Sequence, residues 1–123
     1  MLLVDSSGWL EFFMDGPLAS TYAQYLKRPT DVLTPTIVLY EVYKVIKRQR
    51  SEEEALTTAA QMGKTQLVPL TDTIALTAAD ASLTYQLAMA DAMVYATALT
   101  HKAKLVTSDA DLASLPEVVY HKK

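Results

Sequence analysis

Fourteen acidic residues are spread along this 123-residue chain, and most stand where an acid is ordinary. Glu52, Glu53, Glu54 and Asp72 fall in helix first turns, where the helix dipole favours negative charge. Asp15 lies in a Gly-Pro turn, Asp31 precedes a strand, Glu117 follows Pro116, and Glu11 and Asp80 suit solvated helix faces. Four carboxylates stand apart. Asp5 is the only charge in Met1–Leu10, and Asp91 is the only charge between Ala81 and Thr100. Glu41 sits in IVLYEVYKVI, and Asp109 follows the run Lys104–Thr107 after a single Ser. On a helix, Glu41 has Ile37, Val38 and Val45 as neighbours, and Asp91 has Leu87, Ala88, Val94 and Tyr95. A carboxylate among apolar side chains is costly unless it is paired, protonated or bound to a metal. Only Lys44 and Arg48 lie within helical reach of Glu41. Four such groups brought together would repel one another unless a cation neutralised them. Oxygen donors alone, with no Cys and no suitably spaced His, select Mg²⁺ or Mn²⁺ rather than Zn²⁺. An ion held this way keeps open positions for phosphate oxygens, which suits phosphodiester hydrolysis. Each acid also has a purely structural reading. Asp5 could cap the first helix, Asp91 could cap a helix over 92–102, Asp109 could be a turn residue, and Glu41 could pair with Arg48.

The elements that must position these acids follow from the apolar pattern. Leu2–Val4 reads as a short buried strand, followed by a helix over Gly8–Met14 that Ser6 and Ser7 can cap. A second helix covers Leu18–Lys27, and a second strand Asp31–Thr34. Thr34-Pro35-Thr36 opens a long helix over Ile37–Arg50. Ser51-Glu52-Glu53-Glu54 is a capping-box pattern that starts a helix running to Met62 and ending at Gly63. Gln66–Leu70 is a third strand, Thr71-Asp72 caps a helix reaching Tyr85, and a further helix covers Met89–Lys102. Lys104–Thr107 is a fourth strand, Asp109–Ser114 a turn or short helix, and Val118–Tyr120 a fifth strand. Short apolar strands alternating with helices predict an α/β/α sandwich around a parallel sheet of about five strands. In such sheets ligands bind beyond the C-terminal strand ends, at the switch point between the two halves. Asp5 and Asp109 both lie there, Glu41 is one turn into the helix after the second strand, and Asp91 is near the start of the helix before the fourth. All four can point to one edge.

Composition narrows the rest. The length suits one domain over residues 1–123, and half of the chain is hydrophobic, which argues against disorder. With no Cys, disulfide scaffolds, Cys zinc sites and cysteine nucleophiles are excluded, and the cytosol is the expected compartment. No segment reaches the ~18 apolar residues of a membrane span, and MLLVDSSGWLEFF lacks the basic start of a signal peptide. The net charge of −3 argues against a passive nucleic-acid binder. Four acids committed to cations would leave the 11 basic residues slightly in excess. Lys44, Lys47, Arg48 and Arg50 form a basic helix end that could hold a nucleic-acid backbone, or could simply be a solvated helix C-terminus. His101 and His121 read as surface residues, and three glycines provide no phosphate-binding loop.

VDSSGWL, LYEVYKVI, ADAMVYATAL and KLVTSDADL, taken in this order, resemble the PIN-domain ribonucleases, and among them the small toxins of the VapC type. The likeness spans essentially the whole chain, and the Asp91 and Asp109 segments are its most specific parts. It implies a flavodoxin-like parallel α/β/α sandwich and Mg²⁺- or Mn²⁺-dependent cleavage of RNA. Carried over by position, the catalytic and metal-binding acids become Asp5, Glu41, Asp91 and Asp109. Thr107 and Ser6 match supporting hydroxyl positions, and Asp111 is a second acid able to assist or replace Asp109. Ala88-Met89 departs from the Pro-Leu step that relatives often carry. The likeness further implies homodimers and a small antitoxin partner whose segment enters the active-site groove. Trp9, Phe12, Phe13, Tyr22, Tyr25, Tyr40 and Tyr43 are candidates for such contacts, or else core.

The leading expectation is an endoribonuclease acting on single-stranded or loop RNA, since access favours unpaired regions. The alternative is a catalytically weak PIN-like module that binds RNA or protein. A phosphoacceptor receiver domain is disfavoured, because its acceptor would have to be Asp72, which reads better as part of a helix cap. A haloacid-dehalogenase-type phosphatase lacks the second Asp it would need shortly after Asp5.

Overall fold

The computed structural model describes residues 1–123 as a five-stranded sheet with six α-helices. The strands are β1 (Leu2–Val4), β2 (Val32–Pro35), β3 (Gln66–Val68), β4 (Lys104–Thr107) and β5 (Val118–Tyr120). The helices are α1 (Ser6–Phe13), α2 (Ala19–Tyr25), α3 (Thr36–Gln49), α4 (Glu52–Met62), α5 (Asp72–Tyr85) and α6 (Met89–Thr100). Every strand pair is parallel. α1 packs on α2 and α3, α3 packs on α4, and α5 packs on α6, so that helices flank the sheet in the expected three layers. No helix is long and apolar enough to cross a membrane.

The strand order is β3-β2-β1-β4-β5. A flavodoxin-like order would seat the third strand next to the first, so this detail is corrected. Burial gives the reason. A central strand must be apolar on both faces, and β1, β2 and β4 are buried over almost their whole length. β3 exposes Gln66 and Leu67 and runs straight into Pro69, which cannot donate to a ladder. Such a strand belongs at an edge. The chain therefore steps outward from β1 through β2 to β3, then crosses back to β4. The switch point lies between β1 and β4, paired in register from Leu2 with Lys104 to Val4 with Val106.

The core is one cluster in which Leu3, Val4, Leu105 and Val106 meet Val38, Val42 and Ile46 of α3 on one side and Ile74, Ala78 and Ala96 on the other. Trp9 and Tyr22, considered above as contact residues, belong to it, whereas Tyr40 is 59 % exposed. Helix ends differ in detail from expectation. Asp5 rather than Ser6 or Ser7 is the N-cap of α1, which begins two residues early. Ser51 caps α4 by accepting from the Glu54 amide, and Thr71 caps α5 by accepting from the Ile74 amide. Gly63 ends α4 in a right-handed conformation, so its freedom at positive φ is unused; Gln86 adopts the left-handed cap of α5 instead.

Candidate metal centre at the sheet switch point

β1 ends at Val4, and the next residue, Asp5, turns the chain into α1. Its side chain is nearly fully buried. One carboxylate oxygen accepts from the Ser7 hydroxyl at 2.5 Å and more weakly from the Gly8 amide at 3.4 Å. The other accepts from the Thr107 hydroxyl of neighbouring β4 at 2.7 Å. Thr107 in turn accepts from the Asp109 amide at 2.9 Å, so one side chain links the two acidic strand ends. Burial raises the Asp5 carboxyl above the ordinary range, with a further push from Asp109, while the hydroxyl and amide donors hold it back.

Past Thr107, the segment Ala110–Leu112 closes into a 3₁₀ turn capped by Asp109, whose carboxylate accepts from the Asp111 amide at 2.9 Å. This turn brings Asp111 back beside Asp109. Asp91 arrives from the first turn of α6, where no side chain caps the helix. Asp91, Asp109 and Asp111 each offer a carboxylate oxygen, and the three oxygens lie within 4.8 Å of one another. Asp91 is pushed up to about 6, first by burial and then by the charges of Asp109, Asp5, Asp111 and Glu41. A helix first turn should lower it, so crowding and burial outweigh the dipole. Glu41, half-buried on the second turn of α3, is raised by burial and by Asp5 and Asp109, with Ser6 and Lys44 opposing.

All four expected acids therefore share one field, and Asp111 joins them. The tightest group is Asp91, Asp109 and Asp111, while Asp5 forms the hydrogen-bonded floor and Glu41 flanks it. The structural readings of Asp5 as a helix cap and Asp109 as a turn residue also hold; those of Asp91 as a cap and of Glu41 as an ion-pair partner of Arg48 do not. The ion pairs of this structure, Lys47–Glu52, Arg50–Glu54 and Lys104–Glu117, join exposed groups away from these acids. An oxygen-only set of unpaired carboxylates matches a hard divalent cation, and the residues present fit Mg²⁺ or Mn²⁺.

Ser6 bonds to Glu41, while Ser7, the next residue of α1, bonds to Asp5. Ser108 adds a further hydroxyl: its amide donates to Ser7 Oγ at 2.9 Å and its hydroxyl lies 2.6 Å from the Tyr22 phenol oxygen. His121 is half-buried: Nε2 lies 2.7 Å from the Tyr25 hydroxyl and the ring packs against Tyr22. Of the basic candidates, Lys44 acts on Glu41, whereas Lys47 pairs with Glu52. Lys44, Lys47 and Arg48 rim an open apolar groove of about 710 Å³ floored by Leu39, Tyr40 and Tyr43, which none of the acids lines.

Solved structures share this architecture. A chain of a toxin-antitoxin complex from Klebsiella pneumoniae superposes with a TM-score of 0.86 at 22 % identity, over 100 % of both chains. VapC20 of Mycobacterium tuberculosis, described as a sarcin-ricin loop cleaving toxin, superposes with a TM-score of 0.75 at 17 % identity, over 92 % of each chain. VapBC2 from Rickettsia felis gives a TM-score of 0.78 at 12 % identity, over 98 % of this chain and 97 % of that one. No curated protein sequence matches this chain. At these identities the likeness concerns the fold. The sequence itself matches the PIN domain model over residues 2–118, and on that match the chain belongs to the PIN domain family.

Proposed function

We propose that this chain is an endoribonuclease that depends on Mg²⁺ or Mn²⁺ and acts as the toxin of a toxin-antitoxin pair. The observation that carries the reading is the group of Asp91, Asp109 and Asp111 at the switch point, backed by Asp5 and Glu41, with none of the five in an ion pair. Asp91, Asp109 and Asp111 would hold the cation, with Asp5 adding charge from the floor. When bound, such an ion supplies Lewis-acid activation of water and charge relief at the scissile phosphate. Glu41, raised by burial and then by Asp5 and Asp109, would accept a proton from the attacking water. The Thr107 and Ser7 hydroxyls keep Asp5 aimed without neutralising it. Lys44, next to Glu41, is the basic residue best placed to meet a substrate phosphate, with Lys47 and Arg48 further along the helix. The toxin role, single-stranded or loop RNA as substrate, a cytoplasmic setting, a homodimer and a small antitoxin partner are supported by the family match and the toxin-antitoxin neighbours.

The test is cleavage of single-stranded RNA by the purified chain with Mg²⁺, with Mn²⁺ and with EDTA, beside Asp91→Asn. The expected result is cleavage that requires the metal and falls at least about 100-fold in the variant. Cleavage unchanged by EDTA or by the substitution overturns the reading. Absence of both cleavage and metal binding favours a module that binds RNA or protein without cutting.

A further inference from the structure

We propose that Tyr22 is a positioning residue for the acidic centre, acting through Ser108 to hold the loop that carries Asp109 and the hydroxyls that aim Asp5. The inference rests on the metal-site reading above and adds to it a residue from a different element, more than eighty positions away in sequence from the loop it controls.

Tyr22 lies on α2 and is completely buried. A phenol hydroxyl in such a place is costly unless it is hydrogen-bonded, and a Phe would fill the same space without that cost. Its partner is the Ser108 hydroxyl at 2.6 Å. Ser108 follows Thr107, which donates to one oxygen of Asp5, and its own amide donates to Ser7, which donates to the other. It also immediately precedes Asp109, whose amide is held by Thr107. Fixing the Ser108 side chain thus fixes a residue that sits between both supports of Asp5 and the start of the Asp91–Asp109–Asp111 group. Burial keeps the phenol protonated, pushed up to about 12, so its capacity to bond Ser108 does not change across the neutral range.

The sequence around α1 is shaped to admit this ring. A Cβ on Gly8 would lie 2.3 Å from Tyr22 Cε1 and 2.7 Å from Val4 Cγ1, distances that no side chain tolerates. The bare backbone lets the ring pass under the first turn of α1 while the Gly8 amide still points at Asp5. On its far side the ring meets the edge of His121, with centroids 6.0 Å apart and planes at 75°. The His121 amide donates to the Thr107 carbonyl at 2.9 Å. The tyrosine is therefore clamped between α1 and the segment after β5, and its hydroxyl has one place to go.

The experiment measures Mn²⁺ affinity by calorimetry, with thermal unfolding in EDTA alongside, for the wild type, Tyr22→Phe, Ser108→Ala, the double variant, Tyr25→Phe and Asp109→Asn. Tyr22→Phe and Ser108→Ala should each weaken Mn²⁺ binding about 10-fold while the metal-free Tm moves by only a few degrees. The double variant should bind no more weakly than the worse single one, because both substitutions break one linkage. Tyr25→Phe, which breaks the bond to His121 only, should bind as the wild type does. Wild-type affinity in Tyr22→Phe or in Ser108→Ala, with Asp109→Asn impaired, overturns the role of Tyr22 and leaves the metal site standing. Additive losses in the double variant also overturn it. A wild type that binds no Mn²⁺, or an Asp109→Asn chain that binds normally, overturns the metal site and this proposal with it. Should Tyr22→Phe fail to fold, Ser108→Ala decides the matter alone.

Discussion

Asp91→Asn should make the metal-free protein more stable at neutral pH while abolishing the metal-dependent cleavage proposed above. Burial and then the charges of Asp109, Asp5, Asp111 and Glu41 move the Asp91 carboxyl from an ordinary 3.8 to about 6. A carboxyl raised by folding holds its proton more tightly in the folded chain than in the unfolded one. Between the two values the folded state keeps a proton that the unfolded state has lost, so stability declines as pH rises through that window and the decline is complete above it. The difference corresponds to roughly 3 kcal/mol at 1.36 kcal/mol per pH unit. Asp91 is partly exposed, and solvent screening reduces the realised value to about 1 kcal/mol. For a domain of this size that is a Tm increase of about 4 °C in the variant. The assay is thermal unfolding in EDTA at about pH 7.5 and again at about pH 4.5, where wild-type Asp91 is mostly protonated and the gap should close. Adding Mn²⁺ at the higher pH should stabilise the wild type and not the variant, because only the wild type binds the ion in its folded state. A variant no more stable than the wild type at the higher pH refutes the reasoning, and so does a gap that stays open at the lower one.

Thr107→Val keeps the shape of the side chain but strips Asp5 of one donor and leaves the Asp109 amide unpaired. It should cost about 2–3 kcal/mol, read as a lower urea midpoint at unchanged slope. Gly8→Ala drives a methyl into the buried Tyr22 ring and should cost about 2–3 kcal/mol in the same titration. Ser51→Ala removes the cap that accepts from the Glu54 amide and should cost about 1 kcal/mol, with RNA cleavage at the wild-type rate. Asp111→Asn, on an exposed residue of the carboxylate group, should weaken Mn²⁺ binding about 10-fold in calorimetry with Tm almost unchanged.

The placement of Asp5 and Asp109 was readable in the sequence because each closes a short apolar run, and a charge directly after such a run has to stand at a strand end. Glu41 and Asp91 were readable for the complementary reason that each interrupts a helical apolar stretch, Asp91 with no cation in reach and Glu41 with only Lys44 and Arg48. What local pattern could not show is how turns fold back. Asp111 joins Asp91 and Asp109 only because Ala110–Leu112 closes into a 3₁₀ turn, and two residues of spacing do not distinguish that from an extended path. The start of α1 at Ser6 rather than Gly8 was not readable, since helix ends are uncertain by one or two residues in any pattern reading. The flavodoxin-like strand order failed because strand order is a long-range property. Its one local hint was the poor fit of Gln66 and Pro69 to a central strand. Tyr22 and His121 were legible only as an aromatic and a lone histidine; their partners are supplied by elements at opposite ends of the chain.

The supports of the centre share one chemical property that bears on function. Asp5 is held by two hydroxyls and a backbone amide, and the Asp109 carboxylate caps its own turn. A Lys or Arg could also have oriented these carboxylates, but it would have cancelled their charge and added its own desolvation cost. Neutral donors aim a carboxylate and leave its negative field intact. Burial first raises the carboxyls of Asp5, Glu41 and Asp91, and the neighbouring acids push each further, with Lys44 the one opposing cation at Glu41. A fold that needed only stability would have no reason to keep that repulsion at its switch point, one hydrogen bond away from its core strands. A divalent cation held there, as proposed above, would remove it, so the crowding that weakens the metal-free chain would favour binding of the ion.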